Sequence, residues 1–173
     1  MKQLQATPLK RFHRDWKRAH PIRHDVVLVL NSVQYPANVG SVFRIADAAA
    51  VERVYLCGLT PTPDNPAVVK VGRDKHRYVP WEYQERAEEV VAALRDEGYR
   101  TYALELTDSA RPYYEVDYPE KLCVVVGNED HGVTRAVLAH CDESLFVPMY
   151  GKGLSLNVHV SAAVVLYHVL HLA

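Results

Sequence analysis

Three short stretches hold most of the side chains that could do chemistry. They are YPANVGSVFR (Tyr35–Arg44), VVVGNEDHGV (Val124–Val133) and VPMYGKGLSLNV (Val147–Val158). Among the groups they supply are the amides of Asn38 and Asn157, the carboxylate of Glu129, the hydroxyl of Ser155 and the guanidinium of Arg44. A hydrolase triad of Ser155, His159 and Asp130 can be drawn, but Ser155 lacks the G-x-S-x-G elbow that would expose it. Gly151-Lys152-Gly153 is no phosphate-binding loop, because Gly153 stands where a Ser or Thr must follow the lysine. Glu129, Asp130 and His131 are adjacent and diverge in direction, so no metal site is expected. Asn38 reads as a helix N-cap as well as a contact, and Ser155 as the cap of the last helix. Asn157 falls in the first turn of an apolar helix, where a buried amide needs a partner.

Each stretch must be carried by a strand or a helix. VVLVL (Val26–Leu30) and KLCVVVG (Lys121–Gly127) are continuous apolar runs, expected as strands buried on both faces. RVYLCG (53–58), YRTYALEL (99–106) and SLFVPM (144–149) read as further strands. Val39, Val42, Phe43, Ala46, Ala49 and Ala50 share one helical face, starting after Asn38. Residues 84–97 form another helix, with Ala87, Val90, Val91 and Leu94 inward and Gly98 as its stop. A short helix is expected near Thr134–His140, and the last helix begins at about Ser155. LTPTPDNPAVV (59–69) is rich in proline and reads as loop, and VGRDKHRYVPWEY has no clear period. Strands alternating with helices imply an α/β fold: an open, mostly parallel sheet with helices on both faces. In such sheets ligands sit at the C-terminal ends of the strands, where the three polar stretches fall.

The chain has 173 residues and a formal net charge of -1, which suits one domain with a real core. Residues 26–173 are read as that domain and residues 1–25 as a basic arm or short helix. In the arm, Lys2, Lys10, Arg11, Arg14, Lys17, Arg18 and Arg23 face only Asp15 and Asp25. A basic arm on a mildly acidic body suits a polyanion. Arg73, Lys75, His76 and Arg77, beside aromatics in GRDKHRY, extend that surface. Cys57, Cys123 and Cys141 are odd in number and far apart, which argues against disulfides. No apolar run reaches membrane-spanning length without polar interruption, and no signal peptide is visible, so a cytoplasmic protein is expected.

Taken together, the three stretches closely resemble the signature motifs of the SpoU (TrmH-like) branch of the SPOUT RNA methyltransferases. The first motif matches at Asn38, Gly40 and Arg44. The second, a strand ending in G-x-E-x-x-G, matches at Gly127, Glu129 and Gly132. The third matches at Pro148, Met149, Gly151, Ser155, Leu156, Asn157 and Val158. The resemblance spans residues 26–172, with the motifs in family order. His159 departs from it, because the family usually has a small residue two after that asparagine.

This resemblance implies a deep trefoil knot in the C-terminal part, and S-adenosyl-L-methionine held there. It implies methyl transfer to an RNA ribose 2′-hydroxyl, and a homodimer whose sites are each completed by both chains. Arg44, Asn38, Glu129, Ser155 and Asn157 would be the catalytic set, with Glu129 orienting Asn157 or Arg44. Leu104, Gly127, Gly132, Val147, Met149, Ser155 and Leu156 would hold the cofactor, the two glycines allowing close approach. RNA would be met by Arg11, Arg14, Lys17, Arg18, Arg44, Arg73, Lys75 and Arg77. A guanidinium resists deprotonation, so Arg44 suits gripping phosphate and stabilising negative charge better than acting as a base. His159 reads as a satisfied core histidine, with the site or the dimer interface as alternatives. tRNA is the favoured substrate, rRNA the second, and no DNA or membrane partner is expected. A non-catalytic dimer that binds RNA or cofactor is the remaining alternative.

Overall fold

In a computed structural model, which describes residues 1 and 3–172, seven strands form one parallel sheet. Lys2 of the basic arm and Ala173 lie outside the described residues. The strands are β1 (Asp25–Asn31), β2 (Arg53–Cys57), β3 (Trp81–Gln84), β4 (Arg100–Leu104), β5 (Arg111–Pro112), β6 (Lys121–Val126) and β7 (Glu143–Phe146). Their order across the sheet is β3-β2-β1-β6-β4-β7-β5. The two strands expected to be buried on both faces, β1 and β6, lie side by side at its centre.

Alternation along β1 divides the core in two. Val26, Leu28 and Leu30 pack with α2 (Pro36–Ala48) and α6 (Val158–His171) on one face. Val27 and Val29 pack with α4 (Ala87–Asp96) and α5 (Arg135–Leu138) on the other. The connection after β1 therefore leaves toward one face and the connection after β6 toward the opposite face. Adjacent strands whose connections part in this way open a crevice at their C-terminal ends. From β6 the chain runs through α5 to β7, beyond β4, and then returns across the sheet so that α6 packs near α2.

Four expectations need correction. Helix α2 begins at Pro36, with Tyr35 at its N-cap, so Asn38 is not the cap. Proline is pre-set for a first helical turn, and this frees the Asn38 side chain for other contacts. The proline-rich stretch leads into α3 (Pro66–Gly72), capped by Asn65, whose side chain accepts from the Ala67 N–H at 2.9 Å. The aperiodic stretch after it forms a 3-10 turn (Lys75–Arg77) and the edge strand β3. Helix α6 begins at Val158 rather than near Ser155.

Gly40 of α2 explains how α3 fits. A Cβ there would stand 2.7 Å from the Val68 carbonyl oxygen and 2.9 Å from the Gly72 nitrogen, too close for any side chain. The N-terminal segment forms α1 (Ala6–Ala19), none of whose residues is buried.

Candidate active site

The connection from β6 to α5 turns back on itself. Asn128 and Gly132 exchange backbone hydrogen bonds of 3.0 and 2.9 Å. The Asn128 side-chain oxygen accepts from the N–H groups of Asp130 and His131 at 2.9 and 3.0 Å. Gly132 adopts φ +66°, and a Cβ there would run into the Glu105 carboxylate. A Cβ at Gly127 would overlap the backbone of Gly132 and Val133. The close approach that these two glycines allow is therefore of the chain to itself.

This turn is stitched to the β1–α2 connection. Glu129 accepts from the N–H groups of Gln34 (2.9 Å) and Tyr35 (3.1 Å) and from the Asn38 side-chain nitrogen (2.7 Å). The Asn128 amide donates to the Ser32 carbonyl at 2.8 Å, and the Thr134 N–H donates to the Asn31 side chain at 2.9 Å. Burial works against the charge on Glu129, but the donors from Gln34, Asn38 and Tyr35 outweigh it and hold the carboxyl below its usual range. Asn38 is buried, and its oxygen faces the His159 Nδ1 at 3.1 Å. Glu129 thus orients Asn38, and through it meets His159, rather than Asn157 or Arg44. His159 is half-buried, and burial lowers its pKa.

The third stretch is an exposed loop that ends at the helix. Asn157 is exposed rather than buried, and it caps α6, its side-chain oxygen accepting from the His159 N–H at 3.4 Å. Ser155 is exposed and lies two residues before that cap, so it is not the cap itself.

A cavity of about 1180 Å³ opens at the C-terminal ends of β4, β6 and β7. Asn38, Glu129, Ser155 and Asn157 line it, so four of the five expected catalytic residues meet. All the expected cofactor contacts meet there too: Leu104, Gly127, Gly132, Val147, Met149 and Leu156, together with Ser155. Arg44 does not line it. Arg44 projects from α2 as an exposed residue, and among the described residues it has no ion-pair partner. Asp47, one turn further along α2, pairs with Lys75 at 2.7 Å.

Two wall residues were missed from sequence. Glu105 accepts from the N–H groups of Val133 and Leu106, each at 2.9 Å, tying the end of β4 to the turn. Asn128 braces that turn. The Asn-x-Asp turn pattern in GNEDHG could have flagged Asn128, whereas an acid one residue past a strand carries no distinguishing signal.

None of the basic residues expected to meet RNA lines this cavity. Arg11, Arg14, Lys17 and Arg18 join Lys10 along one stripe of α1, opposite Leu9, Phe12 and Trp16. Arg73 ends α3 in a left-handed conformation, and Arg77 lies 3.5 Å from Asp74.

Comparison with known proteins agrees with this arrangement. The model of the SpoU rRNA Methylase family matches residues 25–167. The 23S rRNA (guanosine(2553)-2'-O)-methyltransferase RlmP of Bacillus subtilis is 37% identical over 142 residues, which are 82% of this chain and 56% of that relative. The tRNA (guanosine(18)-2'-O)-methyltransferase of Thermus thermophilus is 32% identical over 143 residues, 83% of this chain and 73% of the relative. The chain thus spans little more than half the length of the first of them. Among solved structures, the SpoU methyltransferase AviRb of Streptomyces viridochromogenes in complex with AdoMet superposes with a TM-score of 0.76 at 25% identity, covering 90% of this chain and 63% of that one. With all three polar stretches inside the matched region, the chain belongs to the SpoU rRNA methylase family.

Proposed function

We propose that this chain is an S-adenosyl-L-methionine-dependent RNA ribose 2′-O-methyltransferase. The observation that carries the reading is the meeting of Asn38, Glu129, Ser155 and Asn157, far apart in sequence, around one cavity. The cavity exceeds the roughly 300–1,000 Å³ of ordinary small-molecule sites, leaving room for a cofactor and an incoming nucleotide. Its wall fits the cofactor. Leu104, Val147, Met149 and Leu156 offer apolar surface for a flat base, and the loop backbones offer N–H and C=O groups for its edge. The bound cofactor supplies an already activated methyl electrophile. Ser155 and Asn157, exposed on the rim, orient what enters. Glu129 and Asn38 hold the wall in place. Arg44 grips an RNA phosphate and steadies negative charge on the ribose oxygen as it attacks the methyl carbon and its proton passes to water.

Because Arg44 stands off the cavity of its own chain, the active unit in this reading is a homodimer, each Arg44 serving the partner's cavity. Exposed apolar residues of the C-terminal part, Leu154, Leu156, Val160 and Tyr167, support such packing. The return of the chain from β7 past β4 to α6 supports a trefoil knot. Residues 26–173 form the catalytic domain, and residues 1–25, with Arg73, Lys75 and Arg77, form the RNA-gripping surface. No described helix is long and apolar enough to cross a membrane. A cytoplasmic setting matches an RNA substrate and three free thiols.

tRNA is the favoured substrate, since the tRNA-acting relative is matched over the larger share of its length. The higher identity to the rRNA-acting relative favours rRNA as the second reading. Tritiated methyl transfer to bulk unmodified tRNA and rRNA separates the two. Cofactor binding with no transfer to either RNA would instead mark a binding protein.

A further inference from the structure

The hydrogen bonds around Asn38 settle their own polarity. Glu129, as a carboxylate, can only accept, so the Asn38 atom 2.7 Å away must be the nitrogen. The Asn38 oxygen then faces His159, and it too can only accept. His159 must therefore donate through Nδ1–H. In the neutral ring this leaves Nε2 unprotonated.

This bond joins all three polar stretches. Glu129 belongs to the second, Asn38 to the first, and His159 follows directly on the third. Among the described residues it is the sole side-chain hydrogen bond from α6 to another element, since those of Ser161 and His171 stay within the α6 region. Helix α6 is otherwise held by buried apolar residues such as Val165 and Leu166 and by edge-on contacts of the His168 ring with Tyr113 and Tyr118. Its first turn anchors the end of the Val147–Asn157 loop, which lines the cavity.

We infer that His159 is a positioning residue. By donating to Asn38 it locks the amide onto Glu129 and pins the first turn of α6, and with it the cavity rim, to the β1–α2 and β6–α5 connections. A small residue at this position could make no such bond.

The inference rests on reading the cavity as a cofactor site, and the test separates the two. In the full chain, nitrogen-15 NMR of the His159 ring should report the Nδ1–H tautomer, and the Nε2–H tautomer would overturn the assignment. Titration calorimetry with S-adenosylmethionine should show His159→Ala weakening binding about tenfold, the scale of one lost hydrogen bond. His159→Asn puts an N–H near the Nδ1 position and should recover most of that loss. His159→Gln reaches toward the Nε2 position and should not. Equal effects of all three substitutions, or rescue by Gln alone, would overturn the proposal. If the unmodified chain binds no cofactor, the reading of the cavity fails, while the tautomer still decides the bond.

Discussion

The side-chain nitrogen of Asn38 donates to Glu129 Oε1 at 2.7 Å across 91 residues of sequence. This contact, with the Gln34 and Tyr35 N–H groups on the same carboxylate, makes one wall from two connections. Glu129→Ala strands three donors, one of them on buried Asn38. The expected cost is about 2–3 kcal/mol in urea unfolding, with loss of cofactor binding by calorimetry. Unchanged stability would remove Glu129 from this role.

Gly132 and Gly151 provide a matched pair. Gly132 combines positive φ with contact against Glu105, whereas a Cβ at Gly151 meets nothing within 4 Å. Gly132→Ala should destabilise by about 1–3 kcal/mol and deform the cavity. Gly151→Ala should unfold with the unmodified protein within about 0.5 kcal/mol. Denaturant midpoints for the two variants check both expectations.

In the proposed reading Arg44 serves catalysis and not folding. It is exposed and makes no ion pair with a described residue, so Arg44→Ala should shift stability by less than about 0.5 kcal/mol. Cofactor affinity should hold while methyl transfer is lost. A mixed dimer of Arg44→Ala and Asn157→Ala chains should regain one working site, and a mixed dimer as inert as its parents would refute sharing across the interface.

Acid should weaken the fold in two stages. His159 and His168 are held below the usual 6.5, in both cases first by burial. The unfolded chain therefore takes up protons before the native one, and stability present above about pH 6.5 declines as pH falls through the lowered values. Glu129, held below 4.5, adds a further loss below that pH. Thermal unfolding at a series of pH values should show the first decline shrinking in the double variant His159→Asn/His168→Gln.

Deleting residues 1–20 should weaken RNA binding and make it less dependent on salt, while cofactor binding is unchanged. The basic stripe of α1 predicts a fall in the log–log salt slope of roughly 3–5. An unaltered slope would dissociate α1 from RNA.

The parts of this molecule legible in sequence are those where one physical rule acts alone. Strands β1 and β6 are buried on both faces and so read as unbroken apolar runs. The glycines and polar residues of the three stretches carry a recognisable pattern. Legibility failed where two rules compete. Pro66 looks like a breaker, yet at the first turn of α3 it assists a helix that Asn65 caps. Strand β3 has three exposed residues among four, so no apolar signal marks it. Asn38 satisfies the pattern of a cap, but Pro36 starts the helix earlier and turns that amide into a tie between loops. Apolar residues run on from Ser155 and suggest a helix start there. The exposed loop continues to Asn157, whose side chain closes the helix end.

The central claim is that the cavity at the ends of β4, β6 and β7 delivers a methyl group to a ribose oxygen. The most direct measurement is mass spectrometry of nucleosides from RNA incubated with this chain and S-adenosylmethionine carrying a labelled methyl. The account predicts label in 2′-O-methylated nucleosides, abolished by Arg44→Ala. Label on a base, or label in 2′-O-methylated nucleosides that survives both Arg44→Ala and Asn157→Ala, would contradict it.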